Sequence, residues 1–72
     1  MEKEFGRIKK NSTTDVVIRV SEYKGVIGLD IREYVESERY TGWSKSGVRI
    51  PEDQICQLGK IIAEACSELR KE

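Results

Sequence analysis

Apolar and polar positions alternate most cleanly between Val16 and Val35. Val16, Ile18 and Val20 fall on one side of an extended chain, and Val17, Arg19, Ser21 and Tyr23 fall on the other. Lys24-Gly25 interrupts the run and reads as a tight hairpin turn. A second strand, Val26–Val35, sets Ile27, Leu29 and Ile31 against Gly28, Asp30, Arg32 and Tyr34. Gly28 inside that strand marks a bend or a close backbone approach. Upstream, the charged Met1–Glu4 is expected to fray, Phe5–Lys10 can form a short edge strand, and Asn11–Asp15 is a loop of turn formers. Downstream, Glu36-Ser37-Glu38 is a polar turn and Arg39–Ser46 an irregular strand or long hairpin arm. Gly47–Ile50 is a last short strand, ended by Pro51, which has no N–H to give to a ladder.

Pro51 also suits the first position of a helix over residues 51–70, with Glu52 and Asp53 at the positive end of its dipole and Arg70 and Lys71 at the negative end. Strands followed by one helix predict an α+β fold with an antiparallel sheet. At 100° per residue, Ile55, Leu58, Ile61, Ile62, Ala65 and Leu69, together with Cys56, Gly59, Ala63 and Cys66, fill an arc of about 220°. One face of a small sheet needs a narrower stripe. The side lined by Cys56, Gly59, Ala63 and Cys66, beside Ile62, would let another backbone approach closely. A helix packed on its own sheet and on a symmetry mate is therefore expected, with these five residues at a two-fold interface. The alternative is that the small side faces the same core under a curved sheet.

Composition narrows the chemistry. The 72 residues hold 13 Lys plus Arg, 13 Asp plus Glu, no His and two Cys. One domain fits this length, and so small a fold buries only about 60% of its unfolded surface, which again favours association. The missing His removes imidazole acid–base chemistry, and two Cys cannot complete a structural zinc site. Cys56 and Cys66 lie about 15 Å apart along a helix, too far for an intrachain disulfide, and suit a reducing compartment as small apolar residues. No apolar run is long enough to span or enter a membrane, so no membrane role, cofactor or metal is expected. With zero net charge, simple polybasic adhesion is excluded and an anion site must come from local arrangement. Residues 1–50 carry +2 and residues 51–72 carry −2.

The sheet face opposite the aliphatic one supplies such an arrangement. It carries Arg19, Tyr23, Arg32, Tyr34 and Arg49, with Lys24 at the hairpin and Arg39, Trp43 and Lys45 on the neighbouring arm. Cations interleaved with rings are what unpaired nucleic acid needs, because cations follow phosphates and rings stack on bases of any identity. An ordinary solvated face, with cross-strand Tyr and Arg pairs neutralised by Asp30 and Glu33, would show the same residues.

Residues 20–34, with the core Asp30-Ile31-Arg32-Glu33-Tyr34, resemble the signature hairpin of the positive cofactor 4 family of transcriptional coactivators and their prokaryotic relatives. Ser44–Ile50 resembles the basic residues and Gly-Ile-x-Leu that precede that family's C-terminal helix. The resemblance implies a curved four-stranded antiparallel sheet and one helix, ββββα, over a single domain of residues 5–72, paired into a homodimer that cradles single-stranded DNA or melted duplex. It also implies a role in transcription, replication or repair beside that machinery; no enzyme is expected, because Asp30 and Glu33 point to opposite faces of their strand and no nucleophile or metal set accompanies them. The setting would be the cytoplasmic nucleoid in a prokaryote or the nucleus in a eukaryote. Tyr23 matches the stacking aromatic, Lys24 a phosphate-contacting Lys, Arg32 the Arg of the core motif, and Lys45 a basic residue before the Gly. Val26, Val35 and Ser46 replace a Lys, a Trp and a Lys of the human-type relative. Trp43 or Tyr40 could supply the missing ring, and Arg19 or Arg39 the missing charge. Fewer cations imply weaker binding with a shallower salt dependence. The competing expectation is a dimeric interaction module of this fold that has lost nucleic-acid binding.

Overall fold

Three short connections fold the chain into an antiparallel meander. The computed structural model describes residues 2–71, with strands β1 (Glu2–Asn11), β2 (Thr14–Tyr23), β3 (Val26–Glu36) and β4 (Thr41–Pro51) in the order β1-β2-β3-β4. A 3-10 turn (Glu52–Gln54) and one helix, α1 (Ile55–Leu69), follow. The β2–β3 turn is the two-residue hairpin expected from Lys24-Gly25. Lys24 (φ 51°) and Gly25 (φ 80°) both lie in the left-handed region, the geometry whose twist matches that of paired strands.

Several boundaries differ from expectation, each for a local reason. Residues Glu2–Glu4 do not fray but pair with β2, where Glu4 stands opposite Arg19 and gains an opposite-charge neighbour; Met1 lies outside the described residues. The expected loop Asn11–Asp15 shrinks to Ser12-Thr13, because the Asn11 side chain accepts hydrogen bonds from the Thr13 N–H (3.0 Å) and hydroxyl (3.1 Å) and closes the turn. The irregular arm and the last short strand are one strand. Tyr34 pairs with Trp43 and Arg32 with Gly47, so Ser44, Lys45 and Ser46 bulge out opposite Glu33 alone. Pro51 does not open the helix. Its ψ of 151° is extended, and it ends an edge strand, where a missing N–H is tolerated. The helix begins at Ile55 after the 3-10 turn.

The register confirms the two faces. Ile18 faces Ile31, Val20 faces Leu29, and β4 adds Val48 and Ile50 to this apolar face. Arg19 faces Asp30, Val17 faces Arg32, and Arg49, Gly47 and Trp43 continue the cationic face. The helix, however, does not lie on the sheet. Its extensive contacts are with the 3-10 turn, and the chain spreads over 40 × 39 × 18 Å. Ile61 and Ile62 stay 55% exposed, and Leu69 79%. The expected core beneath α1 is therefore absent within one chain, and the aliphatic face is only half-buried. Apart from Thr14, the closed-off side chains sit elsewhere. Among the described residues, Val17 is the only apolar side chain with no exposed area, and with Ser21 and Asp30 it lies on the cationic face.

Candidate nucleic-acid interface

Long side chains laid across the cationic face produce this burial. Asp30, 4% exposed, is the pivot. Arg32 grips it with two parallel bonds, Nε to Oδ2 and Nη2 to Oδ1, both at 3.2 Å, and the Arg19 Nε stands 3.7 Å from Oδ2. The remaining reach of Arg32 goes to β4, where Nη1 donates to the carbonyls of Ser44 (3.1 Å) and Lys45 (3.0 Å). Those carbonyls belong to the bulge, which displaces them from regular pairing. The Asp30 carboxylate holds the Arg32 guanidinium even more firmly protonated than usual, outweighing the opposing effect of burial.

Glycine makes the overlay possible. A Cβ on Gly47 would come within 2.7 Å of Arg32 Cζ, and one on Gly28 within 3.0 Å of Arg49 Nε and 3.1 Å of the Ile50 carbonyl. Each glycine is the floor under an arginine. Arg49 crosses to β2, donating Nη1 to Ser21 Oγ (2.9 Å) and Nη2 to the carbonyls of Ser21 (2.9 Å) and Val26 (3.1 Å). The close backbone approach expected at Gly28 is thus real, and what approaches is a side chain as well as a strand.

The rings form a second layer. Trp43 meets Tyr34 edge-on, with centroids 5.0 Å apart and planes at 71°. The Arg19 guanidinium sits 4.5 Å from the Trp43 centroid, and that of Arg7 lies 5.7 Å from Tyr34. Arg7 itself is held by Glu4 (2.7 and 3.1 Å) and Asp15 (3.4 Å). The bond to Arg7 lowers the Glu4 pKa, and the bond to Glu4 raises that of Arg7. At the hairpin, Tyr23 is 63% exposed, with Lys24 Nζ 5.4 Å from its ring. Arg19, Ser21, Tyr23, Asp30, Trp43 and Arg49 border one depression of about 490 Å³.

The sequence-predicted site residues therefore divide. Arg19, Tyr23, Arg32, Tyr34, Trp43 and Arg49 share the cationic face, with Lys24 at its hairpin end. Lys45 projects from the bulge and Arg39 lies in the β3–β4 connection; both are exposed. Cys56, Gly59, Ile62, Ala63 and Cys66 are all exposed on α1. Sequence reasoning missed Arg7 and Gly47 as parts of this surface, and it placed Gly28 there without the arginine that lies over it. A glycine directly opposite an arginine, as Gly47 is to Arg32, carries the signal, but it is visible only once the register is known. Among the described residues no three His, Cys, Asp or Glu side chains cluster to hold a metal, and no helix is long and apolar enough to cross a membrane.

Comparison with known proteins bears on the family and the fold. The family model described as Transcriptional Coactivator p15 (PC4) matches residues 10–61. The fold is similar to that of a PC4 homologue from Burkholderia pseudomallei in two crystal forms. The tetragonal form gives a TM-score of 0.74 at 19% identity, covering 92% of this chain and 98% of that one. The orthorhombic form gives 0.71 at 20% identity, covering 97% and 92%. These likenesses show the fold. No curated protein sequence matches significantly.

Proposed function

The chain belongs to the transcriptional coactivator p15 (PC4) family, and from that premise we propose that it is a homodimeric single-stranded DNA-binding protein acting in transcription, replication or repair. One observation carries the reading: a single sheet face presents an exposed ring, Tyr23, beside Lys24, Arg19 and the Trp43–Tyr34 pair. Unpaired bases stack on such rings while the cations meet the phosphates, so little base specificity is expected. Duplex DNA hides its base faces, and only melted regions would engage the rings.

The dimer rests on the other face. The aliphatic residues Ile18, Leu29, Ile31 and Val48 and the apolar side of α1 are left open by the same chain. Two uncovered apolar surfaces on one small domain are mutually satisfied when a second copy joins by a two-fold axis. Pairing through α1 and the adjoining sheet would leave both cationic faces free.

The dimeric interaction module without nucleic-acid binding draws on a different observation. Arg7, Arg32 and Arg49 spend their hydrogen bonds on protein acceptors, which reduces the cations left for phosphate. Titration of fluorescein-labelled oligonucleotides, single- and double-stranded, at two salt concentrations decides between them. Tighter binding of the single strand, weakened by salt and by Tyr23→Ala, is the expected result. Absence of binding at low salt would leave the interaction module.

A further inference from the structure

Four arginines lie on the cationic face, and their hydrogen-bond inventories differ. Arg32 directs Nε, Nη1 and Nη2 to Asp30 and to the Ser44 and Lys45 carbonyls. Arg49 directs Nη1 and Nη2 to Ser21 and Val26, and Arg7 is forked onto Glu4 with a third bond to Asp15. Arg19 is different. Its Nε is buried without a hydrogen-bond partner, at 3.7 Å from an Asp30 carboxylate already taken by Arg32. Among the described residues, no protein group accepts a hydrogen bond from its Nη atoms. The guanidinium is nevertheless fixed in place by the Trp43 ring at 4.5 Å, and it borders the same depression as Tyr23.

A guanidinium that is pre-oriented yet unspent is the one able to take a new bidentate acceptor without breaking protein bonds. One that bridges a buried carboxylate and two bulge carbonyls would have to abandon them. We propose that Arg19 is the arginine that grips a nucleic-acid phosphodiester on this face, and that Arg32 is a positioning residue which, with Asp30, fixes the β4 bulge carrying Lys45. The proposal rests on the single-strand-binding reading above and divides the labour within that site. It departs from the expectation drawn from the sequence, which grouped Arg32 with the cations that meet nucleic acid on this face. Glu2 and Glu22 border the same depression, and Glu4 and Asp30 are the acidic groups directly beside Arg19. Neither is bonded to its Nη atoms, so a phosphate meets a cation that is only partly balanced.

The test compares Arg19→Gln, Arg32→Gln, Arg32→Lys and Lys45→Gln in the full chain, reading oligonucleotide affinity against salt and amide hydrogen exchange in β4. Arg19→Gln should weaken single-strand binding roughly tenfold at low salt. It should also reduce the slope of log K against log salt by about 0.7, one phosphate contact, while β4 exchange stays unchanged. Arg32→Gln should speed exchange at Ser46, whose N–H is held by Ser44 Oγ at 3.1 Å, and at Gly47. Its effect on binding should vanish on a Lys45→Gln background, and Arg32→Lys should not rescue it, since an ammonium cannot bridge both sets of acceptors. Should Arg32→Gln fail to fold, Gly47→Ala presses on the same guanidinium and serves in its place. A slope that falls with Arg32→Gln but holds with Arg32→Lys and with Arg19→Gln would overturn the proposal. Wild-type protein that binds no oligonucleotide would sink the single-strand reading and the role of Arg19 together, whereas β4 exchange would still decide the role of Arg32.

Discussion

On the cationic face, arginine stems and aromatic rings roof over the strands until Val17 has no exposed area and Asp30 only 4%; on the apolar face, Ile8 and Val48 keep 62% and 54% of theirs. The difference reverses the usual association of burial with aliphatic side chains. Long amphipathic side chains can bend back and cover their own sheet, whereas short branched ones need another layer to cover them. A face that closes itself needs no partner for stability and can offer its outer edge to a ligand. A face that cannot close itself asks for a second layer, and α1 does not provide one within the chain.

The largest expected effect on this contrast comes from Asp30→Ala. Removing a buried carboxylate strands the Arg32 fork and deprives Arg19 of its ion pair, at a cost of about 3 kcal/mol of stability in chemical denaturation. Next is Ile62→Glu on α1, which should convert a dimer to a monomer in light scattering without altering the cationic face; an unchanged mass would remove Ile62 from the interface. Gly47→Ala should cost about 1–3 kcal/mol, because the new methyl group and the Arg32 guanidinium cannot share the space. Tyr23→Ala should leave stability and mass unaltered while weakening single-strand binding by about 1–3 kcal/mol, the usual contribution of one stacked base. The smallest effect belongs to the Glu4–Arg7 pair on the edge strand. Because the folded-state pKa of Glu4 is lowered, its contribution is complete above the ordinary carboxylate value and is lost as pH falls through the lowered one. Glu4→Gln should flatten the acid limb of the stability curve slightly and leave neutral stability almost unmoved.

Much of this contrast was legible beforehand. Alternation from Val16 to Val35 assigned both faces, and Lys24-Gly25 placed the turn, because period-two patterning and left-handed turn chemistry are local. The bulge at Ser44–Ser46 was not legible, since it is defined by which β3 residues lie opposite, a pairing that no single strand encodes. The burial of Asp30 was equally hidden. It depends on two arginines from different strands converging on one carboxylate. The wide apolar arc of α1 led to the expectation that α1 would pack on its own sheet as well as on a second copy, and the packing on its own sheet did not hold. Amphipathicity tells a helix to be covered without saying by which chain. Of the site residues, Arg19 and Trp43 were named as substitutes for missing family groups, but that they would touch each other could not be seen from residues 24 positions apart in sequence.

The most direct test of the two-face account is a side-chain NMR titration with a short single-stranded oligonucleotide. Trp43 is the sole tryptophan, so its indole N–H gives one unambiguous signal. The account predicts that the Trp43 indole and Arg19 Nε–H resonances shift on binding, while the methyl resonances of Ile18, Leu29 and Ile31 stay in place. Movement of those methyls with a stationary indole would put the nucleic acid on the wrong side of the sheet and contradict it.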